Sequence, residues 1–336
     1  MWVGRILIGF VALLIIALSI TLLVGAKAKS DLKAKYPPPG TLVDIGGYRL
    51  HFLCEGTGSP TVIMESGLGD PSLIWALIRP EVAKTTRVCV YDRAGLGWSD
   101  LSPKPRTAEN IVKELRTLLT KAGIAGPYVL VGHSVGGAYM RLYAHDYPDD
   151  VVGMVLVDSV HEEQISRAPE SFAKFNRQST QQTIRQLQAY KPFAAIGVFA
   201  LVPSQVPVDD LLPKAAREAY QAMAAKDTKF LETVIAEEKA SDTSLAQVRA
   251  ARITTLGNIP LIVLSRSQSV LSSDVDLSAE VIRQVNLGWQ QMQTELASLS
   301  SNGNRVVAEQ SGHYIHLQQP QLVSDAIKQV VADARK

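Results

Sequence analysis

The chain has 336 residues, 46% of them hydrophobic and 20% charged, with a formal net charge of +2. That is enough apolar material for a large core, and the near-neutral balance gives no electrostatic reason to expect nucleic acid or a strongly acidic partner. Two cysteines, Cys54 and Cys89, are too few for a disulfide-scaffolded fold and lack the spacing of a zinc site.

Residues 6–24 carry no charge. As a helix this run is about 28 Å long, close to the thickness of a bilayer core. It shows no polar stripe, as a helix buried in a soluble domain would. Arg5 precedes it, and Lys27, Lys29, Lys33 and Lys35 follow. The reading is a transmembrane anchor within residues 1–28. A cleaved signal peptide is the alternative, since 24–28 holds small residues of the kind signal peptidase accepts. Residues 29–40, ending in Pro37-Pro38-Pro39-Gly40, read as a stiff linker.

Short apolar strands then alternate with helical stretches. Residues 41–45 and 48–54 flank Gly46-Gly47 as a hairpin. Residues 61–65 and 87–91 read as strands. Residues 108–122 have helical spacing, with Ile111, Leu115, Leu118 and Leu119 on one face. A strand over 128–132, a helix over 136–147 and a strand over 152–157 follow. The alternation resumes with strands at 260–264 and 305–308 and a closing helix at 321–334. This order predicts an α/β fold with a mostly parallel sheet flanked by helices, its core formed by 41–159 and 259–336. Residues 160–258 are rich in Gln, Ala, Lys and Glu and predict an inserted helical lid. Its one apolar patch, 192–206, is expected to cover the mouth of the site and bind acyl chains or dip into a membrane surface. Ordinary packing between lid helices is the competing expectation.

Gly132-His133-Ser134-Val135-Gly136 fits G-x-S-x-G between an apolar strand and a helix rich in small residues. There a strand turns sharply into a helix, and the serine projects from the strained turn as a nucleophile. A serine hydroxyl needs a base. His313 follows the last strand, where such a base sits, with His316 as the alternative. The acid is harder to place. The loop after 260–264 has no carboxylate until Asp274, whereas Asp158 ends the strand that follows the nucleophile's helix. Asp158 is the preferred acid and Asp274 the alternative. An oxyanion needs two backbone donors, and Val135 and Leu68, in Ser66-Gly67-Leu68-Gly69, are the candidates.

From Lys35 onward the chain resembles the α/β-hydrolase superfamily, in particular bacterial hydrolases with an N-terminal membrane segment. The resemblance rests on Y-P-P-P-G at 36–40, S-G-L-G-D at 66–70, V-Y-D-R-A-G-L-G-W-S-D at 90–100, G-P-Y-V-L-V-G-H-S-V-G-G at 126–137, L-V-D-S-V-H at 156–161 and S-G-H-Y-I-H at 311–316. It implies an eight-stranded sheet, Ser134 as nucleophile, His313 as base, and Leu68 and Val135 as oxyanion donors. The missing carboxylate after 260–264 departs from the usual pattern, and several relatives carry the acid where Asp158 stands.

The expected function is hydrolysis of a carboxylic ester or related acyl bond through an acyl-enzyme, with no metal or organic cofactor. The expected partners are a small-molecule acyl substrate and a membrane; no nucleic acid and no obligate protein partner is implied. Acyl transfer to another acceptor and a non-catalytic binding protein are the rivals. Cys54 and Cys89 read first as two small buried apolar side chains. The alternative is one disulfide, since the two should stand at matching heights on adjacent antiparallel strands, close enough for the bond. A disulfide would place the domain outside the cytoplasm. The lysines after the apolar run argue the other way, because positive flanks tend to stay inside.

Overall fold

The computed structural model describes residues 2–269, 271 and 275–336. Helix α1 spans Trp2–Lys35 without a break. It therefore overruns the linker expected from residue 29. Ala26, Lys27, Ala28, Leu32 and Lys33 are strong helix formers. Lys27 also pairs with Asp31 one turn on, at 3.0 Å. The three prolines stop the helix, so the connection shrinks to residues 36–40.

Strands β1 (Thr41–Asp44) and β2 (Arg49–Glu55) form the expected hairpin. Its Gly46 and Gly47 both have positive φ, and their N–H groups donate to the Asp44 carboxylate at 2.7 and 2.8 Å. There follow β3 (Thr61–Glu65), α2 (Arg79–Ala83), β4 (Val88–Tyr91), α3 (Ala108–Lys121), β5 (Tyr128–His133), α4 (Val135–Asp146) and β6 (Val151–Val157). Lid helices α5 (Glu170–Ala195), α6 (Val198–Leu201), α7 (Lys214–Ala225) and α8 (Lys229–Ala250) come next. The chain then rejoins the core through β7 (Leu261–Arg266), α9 (Ala279–Ala297), β8 (Gly303–Ala308), α10 (Ile315–Gln318) and α11 (Pro320–Asp333).

The eight strands make one sheet in the order β1-β2-β4-β3-β5-β6-β7-β8. β2 pairs antiparallel with β1 and β4, and every later pairing is parallel. Strands β3 to β7 are buried on both faces, which explains their apolar runs; the edge strand β8 is only partly buried. Alternate residues feed two cores. Ile63, Leu130, Leu156 and Val263 point to the face covered by α3 and α4, while Met64, Val131, Val157 and Leu264 point to the face covered by α11. All the parallel strands end on the same edge, where Ser134, Asp158 and the segment after β8 gather.

The register of the antiparallel β2–β4 pair sets Cys54 opposite Cys89. Their Cα atoms are 4.1 Å apart and the two are disulfide-bonded. We expect alkylation of denatured protein to modify no thiol before reduction and two after it. Two thiols labelled without reductant would show that the bond does not form.

Candidate active site

Ser134 stands between β5 and α4 with φ 55° and ψ −127°, a conformation that costs a non-glycine residue energy. The turn closes because its neighbours have no side chains. A Cβ on Gly132 would sit 2.5 Å from the Gly137 Cα, and one on Gly136 would sit 2.5 Å from the Ser66 carbonyl oxygen. Two bonds hold the turn: Ser134 N–H donates to the Val157 carbonyl, and its own carbonyl accepts from Val160, both at 3.1 Å.

Asp158 ends β6 and is also strained, at φ 42°. Its carboxylate is fully buried, and four donors meet it. Oδ2 accepts from His313 Nδ1 at 2.6 Å and from the Arg266 guanidinium at 2.7 Å. Oδ1 accepts from the Arg266 backbone N–H at 3.1 Å and from Trp289 Nε1 at 2.9 Å. Burial alone would raise this acid, but the His313 bond and the Arg266 charge outweigh it and hold Asp158 below the ordinary carboxylate range. Asp274, the alternative acid, lies outside the described residues.

Neither Arg266 nor Trp289 was among the residues expected from sequence. The strand expected to stop at 264 runs on to Arg266, which pairs with Ala308 of β8. An arginine thus stands just where the usual acid would be, and it covers the Trp289 ring at 4.0 Å. The available signal was the vacancy itself: a carboxylate moved to β6 leaves room for a cation beside it.

His313 is packed among other rings. His133 Nε2 lies 3.0 Å from the His313 backbone carbonyl, which can only accept, so Nε2 carries the proton. Burial, then the neighbouring His316 and His313, push His133 well below its ordinary value. His316, the alternative base, is fully buried against Trp75 and pushed down by burial to about 3. It therefore stays neutral and walled off. Among the described residues, neither Ser134 Oγ nor His313 Nε2 has a hydrogen-bond partner within the protein, and both residues line one cavity of about 780 Å³.

The loop 66–70 faces the first turn of α4. Arg93, fully buried, donates to the Ser66 and Gly67 carbonyls at 2.8 and 2.6 Å. The same guanidinium binds Glu65 at 2.6 Å and lid residue Glu237 at 2.8 and 2.9 Å. Glu237 in turn accepts from the Gly69 N–H at 2.9 Å, and Tyr91 O–H donates to Glu65. Burial raises Glu65, whereas the charge and hydrogen bonds of Arg93 keep Glu237 low despite equal burial. Arg93 and Glu237 are 144 positions apart and gave no local signal. The network leaves Leu68 N–H and Val135 N–H without protein acceptors among the described residues.

The cavity wall differs from the expectation for 192–206. None of those residues lines it. From the lid it takes Gln164, Arg167, Phe172 and Asn176, and from the core Arg266, Gln284, Trp289 and Gln291. The acyl-chain role expected of the patch is therefore withdrawn, because those residues sit at the far end of α5 from this wall. Among the described residues, no group of three or more His, Cys, Asp or Glu could hold a metal ion.

The model of the alpha/beta hydrolase family matches residues 62–326. Uncharacterized protein YqjL of Bacillus subtilis (strain 168) is 27% identical over 276 residues, 82% of this chain and 85% of that protein. A probable transporter, efuK, of Hormonema carpetanum is 40% identical over 136 residues, 38% of this chain; the match spans only 20% of efuK's own length. Among solved structures, a thermophilic esterase from Thermogutta terrifontis superposes with TM-score 0.59 at 21% identity, covering 88% of this chain and 98% of the esterase. That likeness shows the shared fold.

Asp70 generates a test of the site's electrostatics. Burial lifts its carboxyl to about 6, against a partly offsetting Arg93 charge and the bond from Tyr220 O–H. The unfolded chain releases this proton near pH 4 and the folded chain holds it to about pH 6, so this group lowers stability as pH rises through that window. A shift of about 2 units corresponds to roughly 3 kcal/mol. Asp70→Asn should remove that loss, so its melting temperature should exceed wild type by more at pH 7 than at pH 4. Parallel curves for the two proteins would contradict the assignment.

Proposed function

The chain belongs to the alpha/beta hydrolase family, and on that premise we propose that it is a serine hydrolase that cleaves a carboxylic ester or lactone through an acyl-enzyme. The observation that carries the reading is the 2.6 Å bond between His313 and Asp158, with His313 lining the same cavity as the strained Ser134.

Ser134 Oγ attacks the acyl carbon while His313 Nε2 takes its proton. The Asp158 bond fixes Nδ1 as the protonated nitrogen, leaving Nε2 to face the serine. The developing oxyanion is bound by the N–H groups of Leu68 and Val135, held ready by the Arg93 network at no cost of reorganisation during reaction. The leaving alcohol takes the proton from His313. Water then attacks the acyl-enzyme with His313 as base, releasing the acid and restoring Ser134.

The cavity wall is mixed. Ile165, Phe172, Leu271, Val285, Trp289 and Met292 give it apolar surface, and Gln164, Asn176, Gln284, Gln291 and Arg167 add polar groups. A wall of that kind accommodates an apolar acyl group and orients it through a few polar contacts. Helix α1 would anchor the enzyme through its apolar residues up to Val24. The Cys54–Cys89 bond favours a catalytic domain outside the cytoplasm. The four lysines that follow the span argue the other way.

Ser134→Ala should lower kcat by at least about 10³ on a panel of nitrophenyl esters and abolish labelling by a fluorophosphonate. A variant within tenfold of wild type would exclude the mechanism. A product that appears as an ester of an added alcohol would instead mark acyl transfer.

Asp158→Asn should lower kcat by about 10²–10⁴ because His313 loses its tautomer control. Asp274→Asn should leave kcat close to wild type. The reverse ranking would move the acid to Asp274.

A further inference from the structure

Residues 192–206 form a run of fifteen without a charged side chain, and they do not serve the catalytic cavity. Several are open to solvent: Phe193 is 51% exposed and Leu201 and Val202 45% each. Their position explains this. Helix α1 packs on the lid backbone to backbone at Gly25 and Gly197. A Cβ on Gly197, whose φ is +84°, would lie 2.7 Å from the Gly25 Cα, and a Cβ on Gly25 would lie 2.1 Å from the Ile196 carbonyl oxygen. Only two glycines permit that approach. Four residues on, Lys29 Nζ donates to the Ala195 carbonyl at 2.6 Å, satisfying the open C-terminal end of α5.

Gly25 directly follows the last apolar residue of the span, Val24. An apolar helix of about 28 Å fills the hydrocarbon core, so Gly25 marks its boundary. Gly197 touches it there. Phe193, Leu201 and Val202 lie within five residues of Gly197 in sequence, on the segment that meets α1 there. Tyr190, stacked edge-on against Phe199 at 5.7 Å, stands beside them. Amphipathic aromatic side chains suit the headgroup layer.

We propose that this end of the lid, α6 with Phe193, Leu201 and Val202, is seated in the headgroup region of the same bilayer that α1 spans. The lid is thus held at two points, by the α1 contact and by lipid, and the catalytic domain has a fixed attitude to the membrane. The proposal rests on the anchor reading of α1 and adds a second, peripheral contact to it.

The experiment uses the full chain in vesicles of phosphatidylcholine and phosphatidylglycerol. Phe193→Cys, Leu201→Cys, Leu14→Cys and Leu287→Cys are each labelled with a thiol-reactive NBD fluorophore, Cys54 and Cys89 remaining bonded. Nitroxide lipids quench from a shallow or a deep position, and retained esterase activity certifies each variant as folded. Shallow nitroxide should quench positions 193 and 201 several-fold more than position 287, which lies on α9, while deep nitroxide quenches position 14. If 193 and 201 behave like 287 while 14 is quenched, the lid contact is refuted and the anchor stands. If 193 and 201 are shielded from an aqueous quencher only as protein concentration rises, with no effect of nitroxide lipid, the patch meets a second copy and the proposal fails. If 14 escapes deep quenching, both the anchor and the lid contact fall.

Discussion

The Asp158 carboxylate is the point on which the site is assembled. It is fully buried, it sits at a positive φ, and its two oxygens receive donors from β7, α9 and the segment after β8. A buried carboxylate with one partner would be driven to its neutral form. With Arg266, Trp289 and His313 converging, the charged form is stabilised instead. The same contacts fix the ends of three elements relative to β6, so the strain at Asp158 is offset by the positioning of everything around it. Arg266 changes the electrostatics of the usual arrangement. The acid's charge is divided between an imidazole and a guanidinium, and both bind the same oxygen.

A second buried charge ties the lid to the chemistry. Arg93 reaches the carbonyls of loop 66–70 with one edge of its guanidinium and Glu237 of α8 with the other. Removing one partner from such a buried network costs about 3–5 kcal/mol, because it strands a charge without water. The loop and α8 are therefore constrained to move together. The lid thus helps hold the loop proposed to carry an oxyanion donor, and it also lines the cavity.

The sequence disclosed what is local and withheld what is distant. The strained turn at Ser134 was legible because five consecutive residues encode it, and the place of His313 because it follows the last strand closely. That Asp158 lies near it followed from elimination along the same sheet edge. The matching heights of Cys54 and Cys89 were legible from their strands, but their bond was the alternative to two unbonded buried side chains. Arg93 and Glu237 were illegible because a charge far along the chain carries no mark of its partner. The helical state of residues 29–35 was missed for another reason: the charges that end the apolar run suggest a break, although Lys, Ala and Leu continue a helix readily. The patch at 192–206 was visible as apolar, but composition cannot say which neighbour covers an apolar surface.

Helix α5 relates the two ends of the lid. Its first turns contribute Phe172 and Asn176 to the catalytic cavity, and its last residue, Ala195, accepts the Lys29 bond beside Gly25. Nineteen residues of helix separate Asn176 from Ala195, a distance of about 28 Å. With α1 in a bilayer, the Ala195 end of α5 lies near the lipid, and the end that lines the cavity lies a helix length away along the lid. The apolar surface of residues 192–206 and the apolar part of the cavity wall are therefore separate surfaces joined by one helix.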